Sequence, residues 1–212
     1  MIYIENIFVC LVGTLIIAAL IAKNKSRLIF LFVAIGMETC LLSAYINTFF
    51  ARRYGADMLS AAIEIAPVCE EILKLLPLLF YILIFEPKPE EALNAIIAIA
   101  VGFATFENVS YLTQNYSVPL SHMLIRGFGV SAMHIVAGAI VGYGLFYMWS
   151  QSWLKLAGTL GLLCTAITFH AIFNMLVSMT GPIRYIGYLL PILAIIFGTM
   201  LDKQVHRIIK PE

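Results

Sequence analysis

Long apolar stretches alternate with short polar ones along the whole chain. Seven stretches are apolar over about the 20 residues that a membrane-crossing helix needs: 3–22, 28–50, 57–85, 92–112, 120–148, 156–178 and 183–201. The connectors between them are short and polar: KNKSR, ARRYG, FEPKPEE, TQNYSVP, WSQSWLK and MTGPI. The expected fold is all-α, a polytopic transmembrane bundle of about seven helices forming a single integral-membrane domain over residues 1–212. The third and fifth stretches are long. Pro77 predicts a kink in the third, and Gly127 with Gly129 a broken or tilted start to the fifth. A re-entrant or interfacial third segment is the alternative to a full span. The first stretch follows only MIYIEN, with no basic region and no small-residue cleavage site, and reads as a retained helix rather than a signal peptide.

Composition agrees with the pattern. Of the 212 residues, 62% are hydrophobic and 12% are charged, where soluble domains carry about 25% charged residues. The net charge is +1 and no basic run is long enough to follow a phosphate backbone, so nucleic acid is not an expected partner. Cys10, Cys40, Cys69 and Cys164 lie in apolar stretches without a CxxC pair, and read as buried small hydrophobes.

Charge sets the expected orientation. Lys23, Lys25, Arg27, Lys88, Lys155, Lys203, Arg207 and Lys210 fall on one side of a seven-helix arrangement, and Arg52, Arg53 and Arg184 on the other. Cytoplasmic loops carry the excess of lysine and arginine. The N-terminus is thus expected outside and the C-terminus in the cytoplasm, with the tail DKQVHRIIKPE, surface His206 included, against the anionic leaflet.

Six charged residues break the apolar pattern from within: Glu38, Glu70, Glu71, Lys74, Glu107 and Arg126. Facing lipid, they would together cost on the order of 15 kcal/mol, more than most domains have in net stability. They must face inward, pair or be protonated. Lys74 follows Glu70 by four residues and Glu71 by three, so either glutamate can meet it on one helix face. A structural ion pair accounts for one glutamate and the lysine and leaves the second glutamate without a partner. That second carboxylate, in a low-dielectric setting, is suited to a general base or a metal ligand.

Imidazoles and amides add to the set: Asn108 beside Glu107, His134, and His170 with Asn174 four residues on, sharing its face. Counted from the expected cytoplasmic helix ends, Glu71, Glu107, His134 and His170 each lie about 14 or 15 residues in, roughly 21 to 22 Å deep at 1.5 Å per residue. Four helices of alternating direction thus put a carboxylate or an imidazole in one layer, slightly to the outer side of a core about 30 Å thick. Glu38 lies outside this layer and is expected to make a structural hydrogen bond as a protonated carboxyl. His122 is expected on the outer surface. Gly138 and Gly142 form a GxxxG pair suited to close helix contact.

With EEILK at 70–74, GFATFENVSY at 102–111, the run Arg126…His134…Gly138…Gly142 and HAIFN at 170–174, the chain resembles the PrsW family of intramembrane proteases, relatives of the CAAX prenyl endopeptidases and bacteriocin-processing enzymes. The motif-bearing core is 57–178. The broader superfamily places an arginine four residues after the second glutamate. Here Lys74 stands three after Glu71, the PrsW-like form, and prenylated substrates are not expected. The resemblance implies hydrolysis of a peptide bond in or near the transmembrane segment of a single-span membrane protein, as in the first cut of an anti-sigma factor, in a bacterial inner membrane. It implies Glu70, Glu71, His134, His170 and Asn174 as the catalytic set, with Glu70 the first candidate base and Asn174 the oxyanion donor. Glu71, Glu107, His134 and His170 are the candidate ligands of a divalent metal such as zinc, and Lys74, Asn108 and Arg126 support them. Glutamate-activated hydrolysis without metal is the variant within the same superfamily. No HEXXH pair is present. Outside proteases, intramembrane Glu and His chains also make proton and ion pathways, so a carrier or channel is the rival reading, and a scaffold that binds a partner helix is the third.

Overall fold

The computed structural model describes residues 3–115, 117–148 and 154–209, with the side chains of 146–148, 154 and 201–209 left out. The WSQSWLK connector lies largely outside the described residues, and of the charged C-terminal tail only the backbone as far as Ile209 is described, so the surface placement expected of His206 falls outside them. Among those described the chain is helical and has no strand. In chain order the helices are α1 (Ile4–Ile21), α2 (Asn24–Tyr54), α3 (Met58–Ser60), α4 (Ala66–Phe85), α5 (Pro89–Gln114), α6 (Leu120–Met148), α7 (Leu154–Ser178) and α8 (Pro182–Ile209). A π-helical turn, Ala61–Ile65, joins α3 to α4 and makes one rod of 58–85, so that seven rods stand where seven apolar stretches were expected.

Local chemistry explains where the rods begin and end. Gly55 closes α2 in the left-handed region at φ 64°, and the Ala56 N–H returns to the Ala51 carbonyl at 2.9 Å. A Cβ disfavours that conformation, so glycine is the usual residue there. Asp57 then caps the next rod by accepting from the Ser60 N–H at 2.7 Å, which holds its carboxyl below the usual carboxylate range. Pro89 occupies the first turn of α5, where a missing N–H costs nothing, and the Glu91 carboxylate accepts from the Lys88 N–H at 3.0 Å.

The α-helix runs through Pro77 to Phe85, and a π-helical turn with a different hydrogen-bond pattern precedes it at Ala61–Ile65. The fifth rod is continuous from Leu120, with Gly127 and Gly129 inside it. Gly129 serves packing: a Cβ there would lie 2.6 Å from Tyr188 Cδ1 of α8.

Six helices are long and apolar enough to cross a membrane: α1, α2, α5, α6, α7 and α8. The rod 58–85 is left out because any 18-residue window of α4 holds Glu70, Glu71 and Lys74. One face of that rod is buried, with Lys74, Leu75, Leu78 and Tyr81 set against α2, α5, α6 and α7, while Leu76, Phe80 and Leu83 stand exposed on the other.

The tightest crossing joins α2 to α5. A Cβ at Gly36 would lie 2.1 Å from the Ile99 carbonyl oxygen, and one at Gly102 would lie 2.0 Å from that of Val33. The two glycines let backbone touch backbone, as small residues do at membrane helix interfaces. Gly138 and Gly142 of α6 instead make room for a side chain of α5, where Cβ atoms would meet Ile96 Cγ1 and Cγ2 at 3.3 and 2.7 Å. The main core fills the space between: Phe32, Leu78, Ile96, Ile99, Ala137, Val141 and Ala166. Large apolar side chains, Phe80, Phe128 and Phe197 among them, stand exposed around the bundle.

Glu38 differs from its expectation. Its side chain is exposed on α2 and finds no hydrogen-bond partner among the described residues. Cys40 and Cys69 are buried as expected, whereas Cys10 and Cys164 are exposed, and all four are free thiols.

Candidate active site

The site begins with two glutamates on adjacent positions of α4, which must diverge by about 100° around the helix axis. Glu71 points into the bundle and is 3% exposed, with Lys74 beside it at 1%. The Lys74 ammonium donates to Glu71 Oε1 at 2.7 Å and to His134 Nδ1 of α6 at 2.9 Å, and lies 4.9 Å from the Phe103 ring centroid. An ammonium only donates, so His134 Nδ1 accepts and its proton sits on Nε2. Nε2 then donates to Glu107 Oε2 of α5 at 2.6 Å.

On the other side His170 of α7 places Nδ1 2.7 Å from Glu71 Oε1. Glu71 thus receives both Lys74 and His170, and His170 turns its Nε2 lone pair towards Glu70 Oε2 at 3.8 Å. Two acceptors facing each other across that gap need a proton or a cation between them. Asn47 of α2 donates to the other oxygen, Glu70 Oε1, at 3.2 Å.

Glu107 ends in a second cluster. Arg126 donates to Glu107 Oε1 at 3.0 Å and to Asn108 Oδ1, and its guanidinium lies 3.8 Å from the Tyr111 ring centroid. The Asn108 amide in turn reaches Ser131 Oγ at 3.3 Å. Asn174, one turn beyond His170, donates to the Ala62 carbonyl at 2.8 Å. That carbonyl belongs to the π turn, so Asn174 pins the irregular turn beside the site. Its amide has a second N–H to offer.

The structure therefore brings together Glu70, Glu71, Lys74, Glu107, His134 and His170 from four helices, the four residues expected in one layer among them. Asn108 and Arg126 support Glu107, and Asn174 stands at the edge. A cavity of about 420 Å³ opens over Glu70 and reaches Glu107, Arg126 and Asn174. Glu71 is not on its wall.

Glu70, His134 and His170 offer ligand atoms that all lie within 4.8 Å of one another. Two imidazoles and a carboxylate are a common donor set for a catalytic zinc. Each histidine also carries a carboxylate on its other nitrogen side, Glu71 for His170 and Glu107 for His134, as metal-bound histidines do. The residues fit a metal with one exchange: the Lys74 ammonium occupies the His134 lone pair and must yield it. Compared with the expected ligands, Glu70 joins the group, while Glu71 and Glu107 stand behind the imidazoles.

A sequence model described as PrsW family intramembrane metalloprotease matches residues 23–200. The chain belongs to the PrsW family. No curated protein and no solved structure shows a match to it. Membership makes the protein an intramembrane protease of the metalloprotease class, acting on a membrane protein within the bilayer. It decides against the carrier or channel reading of the same Glu and His layer.

Four residues around this PrsW-family site were not singled out by the sequence. Asn47 is uncharged and sits in an ordinary apolar helix, and Tyr111 closes the GFATFENVSY stretch with no role of its own assigned to it. Arg184 reads as an orientation charge at the membrane surface. His122, expected on the surface, is half-buried and lines the cavity, with its ring 6.4 Å from that of Tyr188. A histidine one turn ahead of an intramembrane arginine, His122 before Arg126, was the available signal.

Proposed function

We propose that the protein makes the first cut in a single-span membrane protein, near the extracytoplasmic end of its helix, with an anti-sigma factor as the substrate class. In this reading it lies in a bacterial inner membrane with its N-terminus outside and its C-terminus in the cytoplasm. The observation that carries the proposal is the Glu70, His134 and His170 group, of which Glu70 lines an open cavity while the two buried imidazoles stand behind it. A hydrolase needs room for water and a peptide.

Of the two carboxylates on the cavity wall, Glu107 is engaged by Arg126 and His134, and Glu70 takes the proton of the attacking water. Glu71, whose Oε1 accepts from both Lys74 and His170, fixes the His170 ring. Glu107 does the same for His134. Glu70, His134 and His170 would hold a divalent metal, zinc being suited to the set. When bound, such an ion lowers the pKa of its water and polarises the scissile carbonyl. As water oxygen bonds to the carbonyl carbon, the free N–H of Asn174 donates to the developing oxyanion. The C–N bond then breaks, and Glu70 passes its proton to the leaving nitrogen.

The test is cleavage of a single-span substrate by the purified protein in proteoliposomes, with metal content measured alongside. Cleavage that is lost in Glu70→Gln, and lost and restored with chelator and zinc, is expected. Ion flux without cleavage would overturn the proposal.

A further inference from the structure

The cavity over Glu70 extends outward past the residues assigned to catalysis. Its outer wall carries Arg184 from the first turn of α8, with His122, Tyr188 and Ser178 around it. The two arginines of the cavity differ. Arg126 spends its guanidinium on Glu107 and Asn108. Arg184 donates only its Nε, to the Met179 carbonyl at 2.9 Å, and its terminal nitrogens find no carboxylate or hydrogen-bond partner among the described residues. It is nonetheless half-buried.

A guanidinium held by Nε presents its remaining N–H groups as a fork that matches a carboxylate. Arg184 lines the same cavity as Glu70, the space that a substrate strand must enter. We propose that Arg184 forms a subsite for an acidic side chain of the substrate, lying on the extracytoplasmic side of the scissile bond. This rests on the protease reading and names the substrate feature it selects. Substrate chain is favoured over a lipid phosphate because the cavity is continuous with Glu70, where the peptide must lie.

The spacing follows from α7. Met179, which fixes the Arg184 Nε, stands nine residues beyond His170, roughly 13 Å along a helix at 1.5 Å per residue. An extended strand advances about 3.3 Å per residue. The acidic residue therefore belongs about three to four positions from the cut.

The test scans Asp, Asn and Lys singly through the six positions outside the scissile bond of a single-span substrate, using the full-length protein in vesicles of neutral lipid. The expected result is a maximum in kcat/KM for Asp at the third or fourth position, at least about tenfold over Asn there. In Arg184→Gln the ratio of Asp to Asn falls towards one, and Arg184→Glu inverts it in favour of Lys. Should Arg184→Glu fail to accumulate, the scan on the parent protein decides alone. A flat scan with normal cleavage overturns the subsite and leaves the protease reading standing. A requirement for anionic lipid in place of the substrate acid also overturns it and points to a headgroup. Absence of cleavage with every substrate overturns both.

Discussion

Asn47 donates its amide to Glu70 Oε1 at 3.2 Å, from a helix that carries none of the site motifs. The bond turns the other oxygen of Glu70 towards His170. The Asn47 Oδ1 is buried and accepts no hydrogen bond from a protein donor among the described residues.

Asn47→Ala is expected to lower metal affinity and kcat by about ten- to a hundredfold, as the loss of a ligand-orienting partner does. KM for the substrate should change little, because Asn47 is not on the cavity wall. Isothermal titration of the apo-protein with zinc separates this from simple misfolding. Unchanged zinc affinity would show that Asn47 only packs.

Lys74 and Glu71 are a pair that neither can leave. Both are almost fully buried, and Lys74 also satisfies His134. Removing one partner of a buried pair costs about 3–5 kcal/mol. Lys74→Met and Glu71→Leu should each lower the unfolding midpoint in detergent. The double variant should regain most of the stability and none of the activity, since the His170 and His134 rings lose their partners. A double variant no more stable than the singles would mean that Lys74 and Glu71 are not coupled.

Gly36 and Gly102 set how near α2 comes to α5, and hence whether Asn47 reaches Glu70. Gly36→Ala would put a Cβ 2.1 Å from a backbone oxygen that cannot turn aside, and Gly102→Ala one at 2.0 Å. Either variant should fail to accumulate or lose cleavage. Gly127→Ala has nothing within 4 Å and should match the parent. Western blots of membrane fractions read the difference. Normal accumulation and normal cleavage in Gly36→Ala would mean that the α2–α5 crossing can loosen without loss of the site.

Much of this was legible in the chain because membrane insertion makes buried charge expensive. Glu70, Glu71, Lys74, Glu107 and Arg126 stood out against apolar neighbours, and the depth count placed His134 and His170 beside them. The same logic misled at Glu38, which faces outward. The cost of a charge says that it needs a reason, not that the reason lies within the chain. Asn47 was invisible because one asparagine costs little in a helix. The close α2–α5 crossing was invisible because Gly36 and Gly102 lie on different helices and form no GxxxG spacing. The roles of the two glutamates were undecided in sequence, since adjacent residues give no clue to which one faces the cavity. Rotation about α4 separates them: Glu71 towards Lys74 and His170, Glu70 towards open space.

The place of the cut follows from the cavity. Its lining includes Asn174, Val177 and Ser178, the last turns of α7, and Arg184 at the start of α8, so it opens at the end of the bundle where α7 gives way to α8. In the proposed orientation that end is extracytoplasmic. A peptide bond inside an intact helix has its carbonyl hydrogen-bonded and its approach crowded, so the substrate must unwind there first. A glycine pair beside the cut should accelerate cleavage over a leucine pair, because each glycine lowers helix stability by about 1 kcal/mol relative to alanine. Mass spectrometry of the two fragments locates the bond, expected in the outer half of the substrate helix or just beyond it. A cut in the cytoplasmic third, or faster cleavage of the leucine substrate, would refute the proposed orientation or the need for unwinding, respectively.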